Sequence, residues 1–187
     1  MSSVFYRLAP LTVLEQYGDR WPWRPCRSWT HNEIQHRYDM FIDAALPDRH
    51  GMQDVAGVAR PIAPNVNPYA CLAAAGDDAL GILLGTGAQP VEWSTYALQS
   101  PIAEGSAPGQ VGYGVNEVTG ATATPDQQFV VQRIITSPAA PSTDVLEMAL
   151  YTTDGANVFC LIYDTFTQPI ILDASLQYVA QYLVRTN

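Results

Sequence analysis

The sequence predicts a mainly β fold, an antiparallel β-sandwich of the jelly-roll or immunoglobulin-like kind with an extended, partly helical N-terminal arm. Short runs of apolar or alternating residues recur from residue 81 to the C-terminus. Turn-forming Gly, Pro, Ser and Thr separate them, with no long helical period in between. The chain has 187 residues, 48% of them hydrophobic, so it is long enough to bury a core without disulfides or metals.

The strands are expected in order along the second part of the chain. Residues 54–60 predict a short strand with turns, and residues 81–87 predict an apolar strand closed by a glycine turn. The Asp154-Gly155 pair between two apolar runs predicts a hairpin. The last run alternates in polarity, which is typical of a half-buried strand. The expected strands from residue 81 onward are residues 81–87, 110–118, 128–136, 145–151, 157–164 and 176–184.

The first 50 residues are predicted to form the N-terminal arm, and residues 51–187 the β-sandwich domain. Residues 21–25, with the sequence WPWRP, exclude a regular helix because proline breaks it, and extended backbone is expected there. After this run, Ser28 or Thr30 is placed to cap a short helix that continues through residues 40–42.

Charge divides the chain in nearly the same place. All nine basic residues are arginine, and 18 acidic residues bring the net charge to −9. Residues 1–60 carry seven arginines and seven acids, whereas residues 61–187 carry two arginines and eleven acids. An acidic chain argues against a free-standing nucleic-acid-binding protein. The asymmetry is typical of an arm attached to a body.

The most unusual local feature is a segment in which arginine and tryptophan are interleaved, called here the Arg/Trp segment. Its members are Arg20, Trp21, Trp23, Arg24, Arg27 and Trp29. Both residue types are enriched at the hot spots of protein interfaces, so the segment is the candidate site for a protein partner. Two other interpretations remain open. The segment would also fit an internal Arg–Trp cluster that covers one end of the β body, or stacking on single-stranded nucleic acid.

Motifs for catalysis or cofactor binding are not expected. A chain without lysine has no P-loop lysine. The glycines of residues 81–87 do not open a helix, which excludes a dinucleotide fingerprint, and no serine lies in a GxSxG setting. Loop carboxylates that would suit a glycoside hydrolase are scattered, and the sequence cannot pair them across a cleft. They are Asp77, Asp78, Glu92, Glu104 and Glu117.

Metal and membrane binding are not expected either. The histidines His31, His36 and His50 and the cysteines Cys26, Cys71 and Cys160 lack the spacing of a metal site, and the cysteines are expected to be free thiols. No apolar run reaches the length of about 18 residues that a transmembrane helix needs. Residues 1–7 lack the pattern of a secretory signal.

Short motifs in a fixed order carry a family resemblance over roughly 130 of the 187 residues. The motifs are residues 54–60 (DVAGVAR), 73–76 (AAAG), 81–87 (GILLGTG), 96–105 (YALQSPIAEG), 109–114 (GQVGYG), 129–136, 146–151 (LEMALY), 159–164 (FCLIYD) and 176–184. This part of the chain resembles a family of small virion-associated proteins of tailed bacteriophages, whose patterns include D-x-x-G-x-x-R and E-I-G-L-Y. The chain departs from that family at Met148 and Ala149, and its first 50 residues lie outside the resemblance.

The resemblance implies a structural β-sandwich protein of the virion, assembled in the host cytoplasm and without catalytic residues. We expect a capsid decoration (cement) protein that binds the major capsid protein or another virion protein as a homotrimer, with no cofactor, nucleic acid or membrane partner. One alternative is a tail, fibre or neck component that binds a receptor through exposed aromatic residues such as Trp93, Tyr96 and Tyr113. Another is a carbohydrate-active enzyme that uses loop carboxylates such as Glu92 and Glu104.

Overall fold

Strands make up most of the computed structural model, which describes residues 3–17, 22–26, 52–60, 71–92, 94–122, 127–138 and 141–186. One short helix, α1 (Leu11–Tyr17), follows the first strand. The strands are β1 (Ser3–Pro10), β2 (Arg24–Pro25), β3 (Met52–Gln53), β4 (Ala59–Arg60), β5 (Gly81–Gly85), β6 (Gly112–Thr122), β7 (Gln127–Thr136), β8 (Thr143–Thr153), β9 (Val158–Leu172) and β10 (Gln177–Thr186).

The strands form two larger antiparallel sheets and one small hairpin. The larger sheet has the order β2-β1-β10-β7-β6, and the smaller has the order β5-β8-β9. Strands β3 and β4 pair only with each other. The C-terminal strand β10 is central because it pairs with β1 on one side and with β7 on the other.

Alternating apolar side chains of the two sheets share one core. Val4, Tyr6 and Leu8 of β1 join the same buried cluster as Ile82 and Met148 of the smaller sheet. The hydroxyl of Tyr182 in β10 donates to the carbonyl of Met148 in β8 at 3.0 Å, which ties the sheets together. Burial of each large apolar side chain contributes about 1.5–3 kcal/mol. Two antiparallel sheets around one core are consistent with the predicted β-sandwich.

All six strand runs expected from residue 81 onward coincide with observed strands, and so does the hairpin turn. Asp154 organises that turn, since its Oδ1 accepts the backbone N–H groups of Ala156 and Asn157. The terminal strand is not half-buried as expected. Val179 and Leu183, on the face opposite Tyr182, are buried as well. A polarity pattern does not contain packing from other elements, and helix α1 is one element that contacts β10.

The expected arm boundary needs correction at the N-terminus. Residues 3–10 belong to the larger sheet as β1, paired with β10 from Ser3↔Arg185 to Pro10↔Tyr178. The reason is a period of two in which Val4, Tyr6 and Leu8 enter the core. Extended backbone is observed at residues 24–25, as strand β2. The helix expected from residue 28 to residue 42 lies outside the described residues.

Candidate functional site

The described part of the Arg/Trp segment lies beside strand β1. Arg24 and Pro25 form β2 opposite Tyr6 and Phe5. Trp23 is half-buried, and the guanidinium carbon of Arg7 lies 4.2 Å from its ring centroid. For Trp23 this geometry favours the internal-cover interpretation, because the indole shields an arginine of the chain's own sheet. The other predicted members, Arg20, Trp21, Arg27 and Trp29, lie outside the described residues.

Trp23 lies over Arg7, the first of three polar side chains that form a row across strands β1, β10 and β7. Arg7 donates from Nε to the side-chain oxygen of Gln181, and Gln181 donates from Nε2 to Gln132 Oε1 at 2.9 Å. Arg7 and Gln181 are buried. The outer face of the larger sheet therefore carries a hydrogen-bonded row of side chains that links β1, β10 and β7.

Arg24, by contrast, is exposed and lines a groove of about 340 Å³ between β1 and β9. On the β9 side, a bulge of residues 166–169 forms the edge of the groove. At this bulge the pairing of β9 with β8 passes from Ile170 directly to Thr165. Pro169 in this bulge lacks a backbone N–H, which suits an edge strand that does not pair further. Among the described members of the Arg/Trp segment, Arg24 is the one that is exposed enough to contact a partner.

A buried cation fixes one set of loops. Arg133 on β7 is fully buried, and its guanidinium carbon lies 4.6 Å from the ring centroid of Tyr113. Its nitrogens donate at 2.6–3.2 Å to the carbonyl oxygens of Ala74, Asp77, Leu80, Ile82 and Gly114. Burial lowers the pKa of Arg133, while Tyr113 and the nearby carboxylates oppose the shift. We call this arrangement the cation clamp.

A buried anion fixes the loop that follows β5. Glu147 on β8 is fully buried. Its Oε1 accepts the backbone N–H groups of Gly87 and Ser100 at 3.1 and 2.8 Å. Its Oε2 accepts the backbone N–H of Gln99 and the hydroxyl of Tyr163 at 3.0 and 2.8 Å. We call this arrangement the anion clamp. It holds both ends of residues 87–100.

The glycines of residues 81–87 make room for the anion clamp. A Cβ at Gly87 would lie 2.6 Å from Glu147 Oε1, and one at Gly85 would also collide with this carboxylate. Any larger residue at either position would displace Glu147. The glycine-rich run is therefore explained by close approach of a buried side chain.

Buried tyrosine hydroxyls add further ties to the backbone. Tyr113 donates to Ile102 O at 2.9 Å and accepts from Leu84 N at 3.1 Å. Tyr151 accepts from Leu98 N at 2.7 Å. Burial raises the pKa of both phenols. Tyr113 was expected to be an exposed receptor-binding aromatic, and this is wrong because its ring is buried beneath Arg133.

Three of the five carboxylates considered for hydrolysis have structural partners, and Glu117 is exposed on strand β6. Asp77 accepts the N–H groups of Ala79 and Leu80, which caps a turn. Asp78 accepts from Glu104 N at 3.1 Å, and Glu104 in turn accepts from Tyr113 N at 2.6 Å. Glu92 lies exposed in the loop of residues 87–100. The structure thus engages Asp77, Asp78 and Glu104 in backbone contacts.

The D-x-x-G-x-x-R motif forms the β3–β4 hairpin. Asp54 Oδ1 accepts the N–H groups of Ala56 and Val58 at 3.0 and 2.9 Å, and Oδ2 binds Arg60 Nε at 2.7 Å. These bonds hold the pKa of Asp54 below its usual range, the Val58 N–H first and Arg60 next. Gly57 occupies the turn at φ +78°. The motif is a local turn stabilised by its own acid and base.

The described residues contain no cluster of three or more His, Cys, Asp or Glu side chains that would hold a metal ion. His31, His36 and His50 lie outside the described ranges. Cys26, Cys71 and Cys160 form no disulfide, as expected, and Cys160 is buried. Among the described residues, no helix has the length and apolar character to cross a membrane.

Sequence reasoning missed the two clamps. Arg133 and Glu147 are single charges inside otherwise apolar strand runs, FVVQRIIT and VLEMALY. A charge at an inward position of a buried strand is rarely tolerated without partners. That anomaly was the available signal.

Comparisons of the chain with protein-family models, curated proteins and solved structures find no match. The resemblance to virion-associated proteins therefore stays a prediction from the sequence.

Proposed function

We propose that the protein is a non-enzymatic structural component of a tailed-bacteriophage virion, a capsid decoration (cement) protein that binds and stabilises the shell of the major capsid protein. The ordered motifs between residues 54 and 185 support this proposal. The contrast between the neutral residues 1–60 and the acidic residues 61–187 supports it further. Capsid shells present symmetric sites, which suit a homotrimer.

The observation that carries the proposal is the use of ionisable side chains as internal supports. Arg133 binds backbone carbonyls of the loop before β5, and Glu147 binds backbone N–H groups at both ends of residues 87–100. Asp54 and Glu104 accept backbone N–H groups as well. A protein exposed on the outside of a shell must keep its shape under mechanical and chemical stress, and such ties favour that role.

The proposed contact with the shell lies on the side of β2. Arg24 is exposed there beside the groove and the Pro169 bulge. An exposed arginine supplies a planar group with several donors, which is suited to carboxylates and carbonyls of a protein partner. We assign the partner contact to the Arg/Trp segment with Arg24 as its best-placed described member.

Co-sedimentation of the purified full chain with capsid shells that lack it tests the proposal. We expect saturable binding at a fixed ratio to the major capsid protein. Soluble protein that stays in the supernatant at every shell concentration would contradict it. In that case the receptor-binding tail or fibre alternative becomes the better account, which the exposed ring of Tyr96 favours.

Matched arginine variants locate the contact. Arg24→Ala should weaken shell binding by about five-fold or more, as a hot-spot residue does. Arg185→Ala removes the same charge from another exposed position and should leave binding unchanged. Equal binding by both variants would contradict the assignment to the Arg/Trp segment. Deletion of residues 1–40 is unsuitable, because it removes β1 from the larger sheet.

A further inference from the structure

The loop of residues 87–100 carries a groove that the proposed shell contact does not use. Its volume is about 380 Å³, at the lower end of the range of about 300–1,000 Å³ for small-molecule sites. The polar side chains that line it include Gln89, Glu92, Ser94 and Gln99, and the ring of Tyr96 stands beside them. The groove has room for a mono- or disaccharide rather than a long chain.

The two ends of this loop are held in place before any ligand arrives. The anion clamp fixes Gly87 at one end and Gln99 and Ser100 at the other. Gln99 Oε1 accepts the N–H groups of Ala88 and Gln89 at 3.0 and 3.1 Å. Because both ends of the loop are tied internally, binding would require less ordering of the backbone and would lose less affinity to conformational entropy.

The aromatic ring of the groove is also fixed from outside the loop. A Cβ at Gly57 would lie 3.0 Å from Tyr96 Cζ, so the β3–β4 turn contacts the ring directly. Tyr96 nonetheless keeps 38% of its surface exposed. A held but accessible aromatic ring offers a flat apolar face to a ligand.

The combination selects a class of ligand. Amide, hydroxyl and carboxylate groups supply donors and acceptors for sugar hydroxyls, while the Tyr96 ring suits the C–H face of a pyranose. Among the described residues that line the groove, Glu92 is the charged one. It lies on a body of net charge −9. The negative charge of Glu92 and the net negative charge of the body both disfavour the binding of sialic and uronic acids, which are anionic.

We propose that this groove binds a neutral glycan of one or two pyranose rings. The ring of Tyr96 stacks against the sugar, and the carboxylate of Glu92 repels anionic sugars. The inference does not depend on capsid binding. It adds a small-molecule site to a protein whose proposed partner contact lies at Arg24.

Amide NMR titration with named sugars tests the proposal. The probes are maltose, lactose, cellobiose and di-N-acetylchitobiose, with sialyllactose as the anionic counterpart of lactose. We expect saturable shifts at residues 87–100 with at least one neutral probe, at a dissociation constant on the order of 1 mM. Absence of localised shifts with every neutral probe up to about 10 mM would overturn the proposal, as would equal binding of sialyllactose and lactose.

Single substitutions distinguish the effects of ring stacking and of charge on sugar binding from an effect on folding. Tyr96→Ala should reduce affinity for the binding sugar about ten-fold or more, Tyr96→Phe should retain it, and Ile171→Ala, a control at another exposed apolar position, should not change it. Glu92→Gln should raise the affinity for sialyllactose relative to lactose, an effect that a structural role would not produce. Unchanged affinity in Tyr96→Ala, or no change in the sialyllactose ratio, would overturn the proposal. Shell binding by Tyr96→Ala should equal that of the unaltered chain.

Discussion

The cation clamp and the anion clamp solve the same problem with opposite charges. Arg133 donates to carbonyl oxygens of residues 74–82 and 114, whereas Glu147 accepts backbone N–H groups of residues 87–100. Each charge is fully buried, and each is compensated chiefly by peptide dipoles. Burial of a charge costs several kcal/mol, and hydrogen bonds to a charged group return about 1.5–3 kcal/mol each.

The difference between the clamps lies in how their partners are arranged. The guanidinium of Arg133 binds carbonyls of one loop and of strands β5 and β6, so its geometry depends on all of them together. The carboxylate of Glu147 accepts hydrogen bonds from the two ends of one loop and from the hydroxyl of Tyr163. The comparison indicates that loss of the cation would disturb more of the fold, while loss of the anion would release mainly residues 87–100.

The largest effect is expected from Arg133→Met. It would leave five backbone carbonyls without their donor and should lower the free energy of unfolding by about 3–5 kcal/mol. Urea denaturation measures the change. The same substitution at the exposed Arg185 should alter stability by less than about 0.5 kcal/mol. Similar effects at the two arginines would contradict the cation clamp.

Glu147→Gln is expected to have the next largest effect. The neutral amide keeps the shape, but its NH₂ group faces N–H and O–H donors, and we expect a loss of about 2–3 kcal/mol. Glu117→Gln, on the exposed side of β6, is the matched control and should be neutral. A stability equal to that of the unaltered chain would show that Glu147 does not support the loop.

Removal of a single hydroxyl should have a smaller effect. Tyr163→Phe takes one of the four donors from Glu147 and should cost about 1–2 kcal/mol. Tyr96→Phe, at an exposed ring, should cost nothing measurable by the same urea denaturation. Equal losses in the two variants would argue against a role of the Tyr163 hydroxyl in the clamp.

Alkaline pH should weaken the fold through the buried phenols. Burial raises the pKa of Tyr113, Tyr151 and Tyr163 above the ordinary value of 10.0. The unfolded chain therefore ionises first, and the stability that these groups contribute is present below pH 10.0 and is lost as the pH rises beyond it. Phenolate absorbance at alkaline pH should show that part of the tyrosine signal appears only with unfolding. Ionisation of all tyrosines near pH 10.0 in the folded protein would contradict this.

The smallest effect is expected at the β3–β4 hairpin. The pKa of Asp54 is lowered from 3.8, so its contribution is present above that pH and is lost as the pH falls below it. Asp54→Asn should remove this acid-dependent part of the stability curve, whereas Asp144→Asn, at an exposed position, should leave it intact. An unchanged acid limb in Asp54→Asn would contradict the hairpin assignment.

The sequence predicted the β class and the strands from residue 81 onward because period-two patterns report local burial directly. It did not reveal β1, although Val4, Tyr6 and Leu8 show that period, because the neighbouring tryptophans and prolines suggested a separate arm. Both faces of β10 are buried, and helix α1 is among the elements that contact this strand; no local pattern contains such packing.

The candidate site was harder to predict than the fold. Composition identified the Arg/Trp segment. In the structure, however, Trp23 covers Arg7 while Arg24 is exposed. This difference between two neighbouring residues depends on the pairing of β2 with β1. The partners of Arg133 and Glu147 are mainly backbone groups. Their identity depends on loop paths, which residue types do not specify.

Native-state amide hydrogen exchange on the unaltered chain and on Glu147→Gln tests most directly whether buried charges make these loops rigid. We predict that the amides of Gly87, Gln99 and Ser100 are protected nearly as strongly as those of β10 in the unaltered chain. In Glu147→Gln these three should lose protection while β10 keeps it. Fast exchange of the three amides in the unaltered chain, as in an unsupported loop, would contradict the rigid framework on which both proposals draw.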